Sequence, residues 1–102
     1  MIKLNDDKIQ GIIALCKTHR VESFALFGSA AKDAMREDSD LDFLVQFSAE
    51  IDVLDYADNY FEFLKKLEIL TGKKVDLVSK KSLKNPILIE EIERSKVVLY
   101  AA

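Results

Sequence analysis

The sequence predicts an α/β domain, in the broad sense that includes α+β: a small mixed β-sheet of about four strands with helices packed on it. Three observations predict it. Short apolar runs of strand length recur at Ser23 to Phe27, Leu41 to Phe47, Lys73 to Val78 and Val97 to Tyr100. Longer segments with apolar residues three and four apart separate them, and glycine, proline or polar clusters mark the joints. The resulting order alternates helix and strand four times and leaves the strand order open. With 102 residues, the chain reads as one domain, 1–102, able to bury roughly 60–65% of its unfolded surface.

The first helix spans Asn5 to Arg20, with Ile9, Ile12, Ile13 and Cys16 on one stripe and Asp6 and Asp7 in the first turn. Asn5 is the expected N-cap, Leu4 and Ile9 a hydrophobic staple, and His19 an exposed cation at the far end. Cys16, the single cysteine, is expected as a small buried hydrophobe, in keeping with a reducing compartment.

Ser23 to Phe27 reads as a buried strand ended by Gly28. A short helix is expected from Ser29 to about Arg36, its N-terminus pointing back at the Gly28-Ser29 turn. Leu41, Phe43, Val45 and Phe47 then alternate with Asp40, Asp42, Leu44 and Gln46, so a strand here projects Asp40 and Asp42 to one side.

The longest helix runs from about Asp52 to Thr71, with Val53, Ala57, Tyr60, Phe61, Leu64 and Leu67 as its stripe, Phe63 and Leu70 widening it, and Gly72 as C-cap. The third strand carries Asp76 among apolar residues, a carboxylate that needs a hydrogen bond, a lysine or a metal. Asn85 and Pro86 open a last helix bearing Ile87, Leu88, Ile89 and Ile92, before the fourth strand.

Composition narrows the function. A net charge of −3 and a pI near 5.1 give no global basic field, so direct nucleic-acid binding is not expected, although a nucleotide needs only a local positive site. No segment has signal-peptide character or the roughly 18–20 apolar residues of a membrane span, and a cytoplasmic location is expected.

The chemistry concentrates between Phe27 and Val45. Gly28 before a helix start permits close backbone approach by an anion, to which Ser29 adds a hydroxyl. Asp40 and Asp42, at positions i and i+2 on a strand end, would repel each other without a cation, and such hard oxygen ligands suit Mg²⁺ or Mn²⁺. A calcium loop starting at Asp38 is excluded, because Phe43 and Ala49 stand where glycine and a bidentate glutamate are required. No Gly-x-x-x-x-Gly-Lys-[Ser/Thr] phosphate loop occurs.

Gly28-Ser29, ten intervening residues, then Asp40-Leu41-Asp42, with a further carboxylate at Asp76, resembles the minimal nucleotidyltransferase branch of the DNA polymerase β-like nucleotidyltransferases. The resemblance covers nearly the whole chain and implies the nucleotidyltransferase fold. It also implies Mg²⁺-dependent catalysis, two ions in all, with Asp40, Asp42 and Asp76 as metal ligands and catalytic carboxylates and ATP as substrate. Gly28, Ser29 and Lys32 would bind the phosphates. Lys32 stands where the family commonly has arginine, which keeps the charge without the bidentate fork. Asp33 replaces a common glycine and adds negative charge.

Such small proteins are typically antitoxins of HEPN-domain toxins, so the resemblance implies transfer of AMP to a tyrosine hydroxyl of a HEPN ribonuclease toxin, with a hetero-oligomer as the working assembly. Two alternatives stay open: an antitoxin that neutralises by stoichiometric binding, and nucleotidyl transfer to a small molecule. Tyr56 and Tyr60 on the long helix are candidates for a partner surface, and Lys80 and Lys81 for phosphate contact.

Overall fold

The computed structural model describes residues 5–28 and 40–102. The Leu4 staple and the helix expected over Ser29 to Arg36 lie outside the described residues.

Asn5 caps α1 (Asp6–Thr18), its side chain accepting from the Lys8 N–H at 2.9 Å with Asp6 and Asp7 in the first turn. Arg20, at φ +57°, turns the chain into β1 (Val21–Phe27), which ends at Gly28 with φ +74°. β2 (Leu41–Phe47) leads to α2 (Val53–Thr71), capped by the Asp52 side chain on the Leu54 N–H at 3.0 Å and closed by Gly72 in the left-handed region. After β3 (Val75–Ser79) come a 3₁₀ turn (Lys80–Ser82), α3 (Pro86–Ser95) with Asn85 as its cap, and β4 (Val97–Ala101).

The sheet order is β3-β2-β1-β4. β1 runs antiparallel to both of its neighbours, while β2 and β3 are parallel. The parallel pair requires a crossover, and α2 supplies it. The mixed four-stranded sheet with helices is the fold class that the sequence predicts.

One face of the sheet carries the core. Phe24 and Leu26, the alternate residues Leu41, Phe43, Val45 and Phe47, and Val75 and Leu77 meet Ile12 and Cys16 of α1 and Phe63 and Leu67 of α2. Phe24 stacks on Phe43 at 4.6 Å between ring centres, and Phe63 stands edge-on to Phe24 at 5.4 Å. Cys16 lies inside this cluster, fully buried, and burial pushes its thiol up to about 12.

Three expectations are corrected. On α2 the expected stripe holds at Tyr60, Phe63, Leu64, Leu67 and Leu70, which face the core, but fails at Val53 and Phe61, which are 86% and 64% exposed. Phe24 and Phe47 take Phe63 edge-on, and Phe61, two residues earlier, is thereby turned outward. His19 is buried, not exposed: its ring lies over Phe63, Nδ1 faces the Leu15 carbonyl at 2.8 Å and Nε2 faces Glu62 at 3.2 Å. The cause is α2, which covers the turn after α1 and fastens it through Asn59, whose amide donates to the His19 carbonyl at 2.8 Å. On α3 only Ile92 is buried, and Ile87 and Leu88 are exposed.

Among the described residues, no helix is long and apolar enough to cross a membrane.

Candidate active site at the start of β2 and β3

Strand periodicity and register assemble the site. Leu41 and Phe43 point into the core, so Asp42 between them points to the opposite face of the sheet. In the parallel pair Asp42 is the register partner of Asp76, and in the antiparallel pair it is the partner of Phe27. Phe27, Asp42 and Asp76 therefore form one row across three strands, on the face away from α1 and α2.

Gly28 closes the row. Its positive φ is a conformation that side-chain-bearing residues rarely adopt, and a β carbon placed on it would collide with the Asp42 carboxylate, whose Cγ would lie 3.1 Å away. Glycine is thus required twice over, by the turn and by the carboxylate packed against its backbone.

Asp42 is half-buried, and Asp40 and Asp76 are exposed. Burial raises the Asp42 carboxyl above the usual carboxylate range, and the negative charges of Asp76 and then Asp40 raise it further. Three carboxylates thus share one electrostatic neighbourhood. Among the described residues no trio of His, Cys, Asp or Glu forms a ready-made cation cage. Mg²⁺ does not need one, since it is commonly held by one or two carboxylates together with waters and substrate phosphates. The all-oxygen donor set fits a magnesium ion that also takes substrate phosphate oxygens.

Of the residues singled out from the sequence, the fold brings together Gly28, Asp42 and Asp76, with Asp40 immediately before β2. Ser29 and Lys32 lie outside the described residues. Lys80 and Lys81 sit past the other end of β3, roughly 13 Å along the strand from Asp76. Tyr56 lines a groove with Phe47, Ile51, Val53 and Lys81 at that same far end. Tyr60 is half-buried and donates its hydroxyl hydrogen bond to the Leu77 carbonyl at 2.6 Å. Sequence reasoning missed this contact, as well as Glu68, whose carboxylate accepts from the Val75 N–H at 3.0 Å. The available signal was their spacing of eight on α2, which places both on one broad face of the helix, about 80° apart.

Comparison with known proteins points the same way. The family described as polymerase beta, nucleotidyltransferase, matches residues 10–102. The chain is 36% identical over 92 residues to the protein adenylyltransferase MntA of Thermococcus cleftensis, covering 85% of this chain and 89% of that one. It is 39% identical over 79 residues to MJ1379 of Methanocaldococcus jannaschii, provisionally named a protein adenylyltransferase, covering 78% and 77% of the two chains. Among solved structures, one provisionally described as a minimal nucleotidyltransferase superposes with a TM-score of 0.72 at 36% identity, over 89% of this chain and 88% of that one. A chain of a toxin–antitoxin complex crystallised with AMP-PNP superposes with a TM-score of 0.71 at 25% identity, over 97% and 75%.

Proposed function

The chain belongs to the polymerase beta nucleotidyltransferase family, and from that premise we propose that it is an antitoxin that transfers AMP from ATP to a tyrosine hydroxyl of a HEPN ribonuclease toxin. The observation that carries the reading is the in-register pair Asp42 and Asp76 with Gly28 packed against Asp42. The protein adenylyltransferase names of the relatives and the toxin–antitoxin neighbour with its ATP analogue support the class of substrate and partner.

Asp40, Asp42 and Asp76 would hold Mg²⁺, two ions in all. When bound, the metal supplies charge neutralisation at the triphosphate and at the attacking oxygen. The Gly28 turn lets the leaving phosphates approach the backbone, with Ser29 and Lys32 as further contacts. The acceptor oxygen attacks the α-phosphorus in line, the bond from that phosphorus to the bridging oxygen breaks, and pyrophosphate leaves. Asp76, exposed at the sheet edge, takes the phenolic proton. Positioning and charge account for the acceleration.

The test is the protein with ATP, Mg²⁺ and a co-expressed HEPN partner, followed by intact-mass measurement. Addition of AMP to the partner, lost with Asp42→Asn, is the expected result. Neutralisation of the toxin at one copy each, without ATP and unaffected by Asp42→Asn, would favour stoichiometric masking instead.

A further inference from the structure

Among the described residues Asp76 lies on an edge strand, because β3 has β2 on one side and no strand on the other. A strand edge presents unpaired N–H and C=O groups and is easily displaced. The Leu41 N–H donates to the Lys74 carbonyl at 2.9 Å, so the backbone groups of Lys74 and Asp76 turn toward β2. Those of Val75 and Leu77, on either side of Asp76, then turn to the open edge. Both find partners on the same helix: the Val75 N–H donates to Glu68 at 3.0 Å, and the Leu77 carbonyl accepts from Tyr60 at 2.6 Å.

We propose that Tyr60 and Glu68 are positioning residues, which fasten the two outward backbone groups flanking Asp76 and thereby hold its carboxylate in register with Asp42. The inference rests on the reading of Asp76 as a metal-binding carboxylate. Leu64, midway between the two on α2, packs against the core, so the pair is carried on a helix face anchored on the sheet. Burial, Tyr56 and Asp76 all raise the Tyr60 phenol above its ordinary value, which keeps it a protonated donor through the neutral range.

The experiment uses the full chain with Mn²⁺ and ATP as probes. Manganese binding is followed by electron paramagnetic resonance, Val75 amide exchange by NMR, and AMP transfer to the co-expressed partner. Glu68→Ala and Tyr60→Phe are expected to weaken Mn²⁺ binding roughly 10-fold, within the range seen when a residue supporting a metal ligand is removed. They should lower kcat more than they change KM for ATP, and Glu68→Ala should speed Val75 exchange. Glu68→Gln, whose amide oxygen can still accept the Val75 N–H, is expected to restore all three.

A purely structural role would lower the melting temperature with Mn²⁺ affinity unchanged, and that result overturns the proposal. So does Glu68→Gln behaving as Glu68→Ala. If Asp76→Asn abolishes Mn²⁺ binding while Glu68→Ala and Tyr60→Phe match the parent, only the positioning role falls. If Asp76→Asn itself matches the parent, the reading of the site falls first.

Discussion

The carboxylate of Asp42 occupies the space that a β carbon on Gly28 would need. A methyl group there must displace the carboxylate or the turn, and the left-handed backbone at φ +74° adds strain of about 1–3 kcal/mol. Gly28→Ala is therefore expected to abolish AMP transfer as well as to lower stability. Gly72→Ala is the reference: φ is +68° but nothing beyond its chain neighbours lies within 4 Å of the new carbon, so it should lose only the strain part of that stability in urea unfolding and keep its activity.

Two carboxylates should leave opposite marks on stability against pH. Asp42 is raised in the fold, so its contribution is present below the ordinary aspartate value of 3.8 and is lost as pH rises through the folded value. Asp42→Asn, which removes that charge, should make the metal-free protein more stable at neutral pH while it inactivates it. Glu62 is lowered, first by its hydrogen bond from Lys66 and then by that from His19. Its contribution is present above 4.5 and is lost as pH falls through the folded value, so Glu62→Gln should flatten the acid side of the unfolding curve.

Cys16 is fully buried with its thiol raised to about 12. A thiol reagent at pH 8 should leave the native protein unlabelled for as long as it stays folded, then react stoichiometrically in denaturant. Rapid labelling of the native chain would show that the core around α1 opens readily.

The face that α2 buries has a direct stability test. Phe63→Ala should cost about 3–5 kcal/mol, because the ring contacts Phe24, Phe47 and His19 inside the core. Phe61→Ala, on a side chain 64% exposed, should change stability by about 0.5 kcal/mol or less. Equal losses at both sites, by chemical denaturation, would contradict the observed face.

Local signals in the sequence were strong where one residue settles the geometry. Asn5, Asp52, Gly72, Asn85 and Pro86 mark helix ends, and the alternation from Leu41 to Phe47 defines β2 to the residue. What remained illegible is decided by tertiary partners. α2 offers apolar residues on several faces, and only the aromatic pocket on the sheet selects Phe63 over Phe61. His19 has the composition of a helix-end cation, and its burial follows from where Asn59 and Glu62 lie on another helix. For the site, the spacing of Gly28 and Asp42 was visible, whereas the alignment of Asp42 with Asp76 depends on a parallel register that strand patterns alone do not fix.

The pairing of β1 with β4 sets an order of events during synthesis. β1 precedes the three other strands, yet one of its two hydrogen-bonded flanks is built from residues 97–101, with Ser23 opposite Ala101 and Phe24 opposite Tyr100. A nascent chain that has made β1, β2 and β3 still exposes the flank of β1 on which Leu26 and Phe24 await Val97 and Tyr100. Closure of so long a loop is slow relative to local helix formation. The emerging polypeptide thus passes through a stage with an open, adhesive border until translation has delivered β4, and a ribosome stalled before residue 97 would hold a chain prone to aggregation.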